Sequence, residues 1–431
     1  MIELFSQTKD LVLQTKGLVL SKTAKDTSIV FFGNITASIL GIVFTILAAR
    51  FLGPENWGIV AAVISLITIL TALGDFGLGS GIFRFASGLW SMGKTLEAEK
   101  VFNAIFVLRF VSAIVFAFIL ILLSPWAAQV FLHSDDSRLI LLASFGVLGT
   151  LLLDFQVVSM QARQSWKMAA VLISLTNIIR VLAILVLKAM GRVGLLEVLL
   201  VFSGSLFLAW ILSLPARPVQ FKIEGNWRTT ARKVVSFSSW MAGNKIVSSI
   251  NSRVDVLLLV ALTGAYTTGI YAAANRLALG VPLILGSFAT VLAPKFASLR
   301  EQELLGFFKK AIGLSIFIAI LLAIGVLIAP LVISLFGESY RDSSLILQWL
   351  LIGFIPFVLS TPSVNILIYH FQKPQIITLL SIFQLPLIFL LNFYGIPRFG
   401  VFGPVITLGI VNLSTFFVTY YFAWRYLRRY K

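Results

Sequence analysis

From residue 28 to residue 423 the chain repeats one pattern: about twenty apolar residues, then a short polar break. A run of that length, at roughly 1.5 Å per helical residue, matches the ~30 Å hydrocarbon core of a bilayer. Lipid offers the backbone no hydrogen-bond partners, so such runs must be helices. A soluble fold is excluded by the charge content. Only 12% of the 431 residues are charged and 59% are hydrophobic, against about 25% charged in soluble domains. Twelve spans are predicted, at 28–49, 58–82, 101–123, 139–160, 168–187, 195–214, 234–262, 269–293, 311–333, 345–368, 376–392 and 401–423. The predicted fold class is an all-α polytopic membrane protein. Its twelve helices form two six-helix pseudo-symmetric halves around a central cavity.

Lysine and arginine orient the spans. With the N-terminus in the cytoplasm, 23 of the 34 Lys and Arg residues fall in inner segments and 6 in outer loops. Both termini are therefore expected in the cytoplasm. The formal charge of +17 follows from these short loops, so nucleic acid is not expected as a partner. The basic tail at Arg428 and the N-terminal lysines Lys9, Lys16, Lys22 and Lys25 are expected to touch anionic membrane lipids. Trp57, Trp90, Trp126, Trp227 and Trp349 fall near span ends, where interface anchors belong. The chain has no cysteine, so neither a disulfide nor a thiolate metal site is expected, and no cleavable signal peptide is evident in residues 1–27. His133, Asp135 and Asp136 read as a solvated outer loop rather than a metal site.

The longest basic loop separates six spans from six. The expected division is an N-terminal half at 1–215, a basic cytoplasmic linker at 216–233 and a C-terminal half at 234–431. A shift of 211 residues lays GPENWGIVAA, from Gly53, onto GAYTTGIYAA, from Gly264. Gly58 then falls on Gly269, and RFAS at Arg84 on KFAS at Lys295. Each copy follows an even number of spans, so the halves enter the membrane in the same direction. Parallel repeats of this kind relate through an axis along the membrane normal, with a cavity between them.

Ionisable groups at membrane depth are costly and face a cavity or each other. Here they are Asp75, Arg109, Asp154, Arg180, Lys245, Arg253, Asp255 and Arg276. Arg84 and Lys295 add cations at the cytoplasmic mouths. The excess of cations suits an anionic ligand, and arginine's planar fork suits phosphate. Arg84, Arg109, Arg180, Lys245, Arg253, Arg276 and Lys295 are the candidate substrate-binding residues. Asp75, Asp154 and Asp255 are candidates for ion pairing or coupling. Gly77 and Gly81 are spaced to let a neighbouring helix approach. Asp75 sits beside these glycines with Gly286 at the equivalent repeat position, and its expected partner is Arg109 or Arg276.

The segment from Ser28 to Ser87 resembles the start of polysaccharide-transport proteins. These are the O-antigen and capsule flippases of the multidrug/oligosaccharidyl-lipid/polysaccharide exporter superfamily. The resemblance rests on Gly33-Asn34, on Ala49-Arg50-x-Leu52-Gly53-Pro54-x-x-x-Gly58, on Asp75-Phe76-Gly77-Leu78, on Arg84-Phe85, and on Gly264-x-x-x-x-Gly269-Ile-Tyr-x-x-Ala-x-Arg276-Leu. It implies a flippase that carries a polyprenyl-(pyro)phosphate-linked oligosaccharide across the cytoplasmic membrane of a bacterium or archaeon by alternating access, for cell-surface polysaccharide biosynthesis. It implies no cofactor, with a proton or sodium gradient as the candidate energy source. The implied partners are the lipid-linked glycan, a polysaccharide polymerase and glycosyltransferases. Related branches with fourteen spans use extra helices for a lipid tail, and this chain has twelve.

Two alternatives remain open at this stage. One is a multidrug or small-molecule antiporter of the same fold, which a basic cavity disfavours for cationic drugs. The other is an integral-membrane glycan ligase or transferase. The short loops and the presence of only two histidines give such an enzyme little to work with, and no catalytic residue is assigned. A scaffold without transport would make little use of a duplicated architecture.

Overall fold

The structure is a computed structural model and describes residues 22–215 and 227–428. Lys9, Lys16, Arg217, Lys222, Arg429 and Lys431, which contribute to the basic inner segments, lie outside the described residues, as does most of the basic linker. All regular structure among the described residues is helical. The main helices are α1 (Lys22–Asp75), α2 (Thr95–Leu122), α3 (Ser124–Leu132), α4 (Arg138–Ala162), α5 (Trp166–Ala189), α6 (Leu195–Ser213), α7 (Trp227–Asn251), α8 (Val254–Thr263), α9 (Ala265–Ala278), α10 (Gly280–Ser298), α11 (Glu301–Ser334), α12 (Ser343–Asn365), α13 (Pro374–Phe399) and α14 (Phe402–Leu427).

Among the described residues ten helical stretches are long and apolar enough to cross a membrane, and an eleventh forms if α7 and α8 count as one span bent by 41°. The first stretch, 29–75, holds two expected spans. They meet at Gly53, where φ 76 and ψ 169 interrupt the helix. Only glycine takes up that backbone region readily. Gly264, between α8 and α9, has almost the same conformation, φ 88 and ψ 177.

The helices fall into two compact units interleaved along the chain. The first comprises Met1–Phe44, Leu70–Leu123 and Ile140–Ile246, so far as these are described. The second comprises Thr45–Ile69, Ser124–Leu139 and Val247–Lys431, with the same limit.

In the first unit the chain breaks after Asp75. Phe76 and Gly77 both have positive φ, 45° and 68°. The helix resumes at Leu78–Gly81 and runs through a π-turn at Ile82–Ala86 that carries Arg84. Gly77 and Gly81 receive α7. A methyl on Gly77 would stand 2.5 Å from the Ser238 carbonyl oxygen, and one on Gly81 would stand 2.9 Å from Ser238 Oγ and Val234 Cγ1. Small residues thus allow α7 to lie against this segment at backbone distance. Buried Ile82, Phe102, Ile105, Phe106 and Phe155 fill the adjoining core.

In the second unit α12 packs against α11 and α14, and α13 packs against α14. Here the two glycine turns meet. A methyl on Gly58 would overlap the carbonyl oxygen of Ala265 and stand 2.8 Å from the Gly269 nitrogen. A methyl on Gly269 would overlap the carbonyl oxygen of Pro54 and stand 3.1 Å from the Gly58 nitrogen. The contact maps onto itself under the shift of 211 residues, with Pro54 falling on Ala265 and Gly58 on Gly269. Tyr340 is buried beside it and donates a 2.9 Å hydrogen bond to the Ala49 carbonyl. Trp57, expected as an interface anchor, packs inside the protein. It is only 4% exposed, because it belongs to the turn whose backbone packs against α9. Trp126 and Trp349 are exposed.

Candidate functional site

Each unit holds one cluster of intramembrane polar groups. In the first, the helix break leaves Asp75 at a helix C-terminus, where exposed carbonyls disfavour a carboxylate. Two cations offset this. Arg109 of α2 reaches Asp75 Oδ1 through Nη2. Lys245 of α7 reaches Asp75 Oδ2 at 2.8 Å. Asp75 and Arg109 are each 1% exposed, whereas the Lys245 side chain is 44% exposed. Asp154 of α4 lies in the field of Arg109 and Lys245. Two carboxylates and two cations therefore form a group with no net formal charge. Arg109 Nε and Nη1 have no hydrogen-bond partner among the described residues. Ser112 Oγ, one turn beyond Arg109, donates to the Gly74 carbonyl at 2.5 Å and holds α2 against the end of α1.

Arg180 lies elsewhere in the first unit and is engaged locally. Its Nε donates to Ser205 Oγ at 2.8 Å, its Nη2 to the Phe202 carbonyl at 3.3 Å, and its guanidinium lies 4.0 Å from the Phe202 ring centre. Arg84 is exposed on its π-turn. An ion pair that sequence reasoning missed joins Arg163, after α4, to Glu99 of α2 through two bonds of 2.8 and 2.9 Å. The Phe102 ring backs it at 3.8 Å. In sequence Arg163 looked like one more inner-loop cation, and nothing local marked Glu99, 64 residues away, as its partner.

The second unit's cluster forms where α7 gives way to α8. Arg253 occupies the N-cap of α8 and Asp255 lies in its first turn, where a carboxylate is favoured. Asp255 accepts hydrogen bonds from Tyr271 Oη at 2.5 Å, from the Val256 N–H at 2.8 Å and from Asn275 Nδ2 at 3.4 Å. It lines a largely apolar cavity of ≈ 120 Å³, whose other polar groups include Asn251, Tyr271, Asn275, Asn392 and Thr407. The side-chain oxygen of Asn392 is buried there without a partner among the described residues. Arg276 is half-buried and lies in the field of Arg253, whose own charge is offset in part by Asp255. The Nε atoms of both arginines are buried without a hydrogen-bond partner among the described residues. Lys295 is exposed at the end of α10. No group of three or more His, Cys, Asp or Glu side chains suited to a metal ion occurs among the described residues.

The expected residues thus fall into two groups. Asp75, Arg109, Asp154 and Lys245 come together in the first unit. Arg253, Asp255 and Arg276 come together in the second. Arg180, Arg84 and Lys295 join neither cluster.

Residues 23–300 match the family described as "Polysaccharide biosynthesis protein". That match covers well over half of the chain, which belongs to this family. A curated relative, the capsular polysaccharide biosynthesis protein CapF of Staphylococcus aureus, is 26% identical over 188 residues. The match covers 42% of this chain and spans about half, 47%, of that relative. Among solved structures, the lipid II flippase MurJ in an inward closed conformation superposes with a TM-score of 0.74 at 13% identity, covering 90% of this chain and 86% of MurJ. An inward-facing multidrug resistance MATE family transporter of the MOP superfamily gives 0.66 at 14% identity, covering 91% of this chain and 95% of the transporter. The fold is that of MOP-superfamily transporters, and the chain is a multi-pass membrane protein.

Proposed function

We propose that this member of the polysaccharide biosynthesis protein family is a flippase for a polyprenyl-(pyro)phosphate-linked oligosaccharide, working by alternating access in the assembly of a cell-surface polysaccharide. The observation that carries the reading is the pairing of Arg253 and Arg276. Two half-buried guanidiniums, each with a buried Nε that lacks a hydrogen-bond partner among the described residues, suit an anion with several acceptor oxygens. Pyrophosphate supplies them in the geometry arginine's fork matches. The family match and the name of the curated relative support a polysaccharide precursor as cargo. The self-matching contact of Gly58 and Gly269 supports a duplicated architecture. A polymerase and glycosyltransferases are the proposed partners.

The group of Asp75, Asp154, Arg109 and Lys245 has a different role in this proposal. It is a neutral internal pairing that holds α2 and α7 to the broken end of α1. The Asp255 cavity is the proposed coupling site. Its carboxylate, amide and hydroxyl oxygens suit a hard cation such as sodium, and the carboxylate alone suits a proton.

The second reading is a multidrug antiporter. It is favoured by the solved structures of similar fold, most of which are MATE transporters, and by a carboxylate lining a cavity. The two readings separate at the arginines. In the flippase, Arg253→Gln and Arg276→Gln each weaken binding of a polyprenyl-pyrophosphate oligosaccharide roughly tenfold or more, one charge-assisted hydrogen bond being worth about 1.5–3 kcal/mol. Binding by titration in detergent reads this directly. Unchanged affinity in both variants removes the anion-binding role and leaves the antiporter.

A further inference from the structure

Two crevices of the second unit lie next to each other along α13. The first, ≈ 300 Å³, lies between the outer halves of α13 and α14, with Leu390, Tyr394, Arg398 and Ile406 on its walls. The second, ≈ 330 Å³, lies between Leu385, Pro386, Phe389 and Leu390 on one side and Ile250, Asn251 and Val254 on the other. Leu390 lines both. The walls are largely apolar, and almost none of the apolar stretch of α13 is buried within the protein.

The polar exceptions lie mainly at one end. Arg398 is at the outer end of α13, exposed, with no hydrogen bond or ion pair among the described residues. Tyr394 is one turn earlier and therefore on the same helix face. From Pro386 to Arg398 the two crevices together follow thirteen residues of α13, or about 18 Å of helix. That is close to one leaflet of a ~30 Å hydrocarbon core.

We propose that this crevice is a binding site for an anionic phospholipid of the outer leaflet. The lipid phosphate sits against the Arg398 guanidinium and the Tyr394 hydroxyl. One acyl chain runs inward along α13 past Leu390 to Pro386. The unpaired guanidinium selects the charge, and the apolar length below it selects a chain that ends near the bilayer midplane. The site is separate from the Arg253–Arg276 pair and does not depend on what the protein transports.

Native mass spectrometry of the purified full-length protein tests this, with phosphatidylglycerol, phosphatidylcholine and polyprenyl phosphate as probes. The wild type should hold one phosphatidylglycerol more tightly than phosphatidylcholine. Arg398→Gln should weaken phosphatidylglycerol retention roughly tenfold and abolish the preference, while Arg398→Lys should keep most of it. Ile406→Trp, at a position already 43% exposed, should fill the crevice and expel the lipid with Arg398 intact. Thermal unfolding in lipid-free detergent should match wild type for all three variants. If one variant unfolds, the other two still decide the matter. Equal retention by Arg398→Gln and wild type, equal retention of both phospholipids, or occupancy by polyprenyl phosphate alone overturns the proposal.

Discussion

Replacing Asp75 by asparagine keeps the side chain's size and removes its charge. The structure sets the size of the effect. In the native cluster Asp75 and Asp154 balance Arg109 and Lys245. Without Asp75 the group carries one excess positive charge, and most of that burden falls on Arg109, which is 1% exposed. Leaving a buried charge without its partner costs roughly 3–5 kcal/mol. The unfolded state in a membrane also finds partners, so the loss should lie at or below the lower end of that range. Lys245 is 44% exposed and can turn to solvent or headgroups, so its own removal should cost about 1 kcal/mol or less. A double-mutant cycle separates these terms. Asp75→Asn and Arg109→Gln should each lower the unfolding temperature in detergent. The combined variant should lose less than the sum by about 1–3 kcal/mol. The same cycle with Lys245→Gln should show a clearly smaller coupling. Additive losses for Asp75 and Arg109, or a coupling with Lys245 that exceeds the one with Arg109, would refute the assignment of the buried pair as the structural member of the cluster.

Two further perturbations test the fold and its orientation. Gly269→Ala places a methyl against the backbone of Pro54 rather than against a yielding side chain. It should therefore cost at least the roughly 1–3 kcal/mol of ordinary overpacking. Gly280→Ala, where a methyl meets nothing within 4 Å, is the control, and thermal unfolding of both variants gives the comparison. For topology, single cysteines can be introduced into a chain that has none. In intact cells an impermeant thiol reagent should label Asp135→Cys and spare Lys373→Cys, and labelling of the second from outside would invert the assignment.

Much of the fold was legible because lipid leaves a backbone little choice. Runs of twenty apolar residues must be helices, and short basic loops orient them. Gly77 and Gly81 advertised a close helix contact through their spacing alone. Their partner, α7, did not appear in the sequence, since nothing local says which distant helix fills a small-residue groove. The same limit governed Asp75. Its position announced a charged partner, and Arg109 and Arg276 were the expected ones. The structure gives it Arg109 together with Lys245, 170 residues away. Asp255 read as a candidate for ion pairing or coupling, and nothing in the sequence marked its closest partner, the Tyr271 hydroxyl of the next helix. Trp57 misled because a tryptophan at a span end has the same sequence signature whether it meets headgroups or a neighbouring turn. Gly53 marked a turn but not its tightness. A single residue in a glycine-only conformation breaks the helix with almost no loop.

The claim that this chain is a flippase for a lipid-linked anionic glycan is tested most directly by reconstitution. Purified protein in vesicles of defined lipid is given a fluorescent polyprenyl-pyrophosphate oligosaccharide on one leaflet, and its arrival on the other is read with an impermeant quencher. A second set of vesicles is loaded with a cationic dye under a proton or sodium gradient. The account predicts protein-dependent translocation of the glycan lipid, reduced by Arg253→Gln and by Arg276→Gln, with dye efflux at the level of empty vesicles. Gradient-driven dye efflux without movement of the glycan lipid would contradict it.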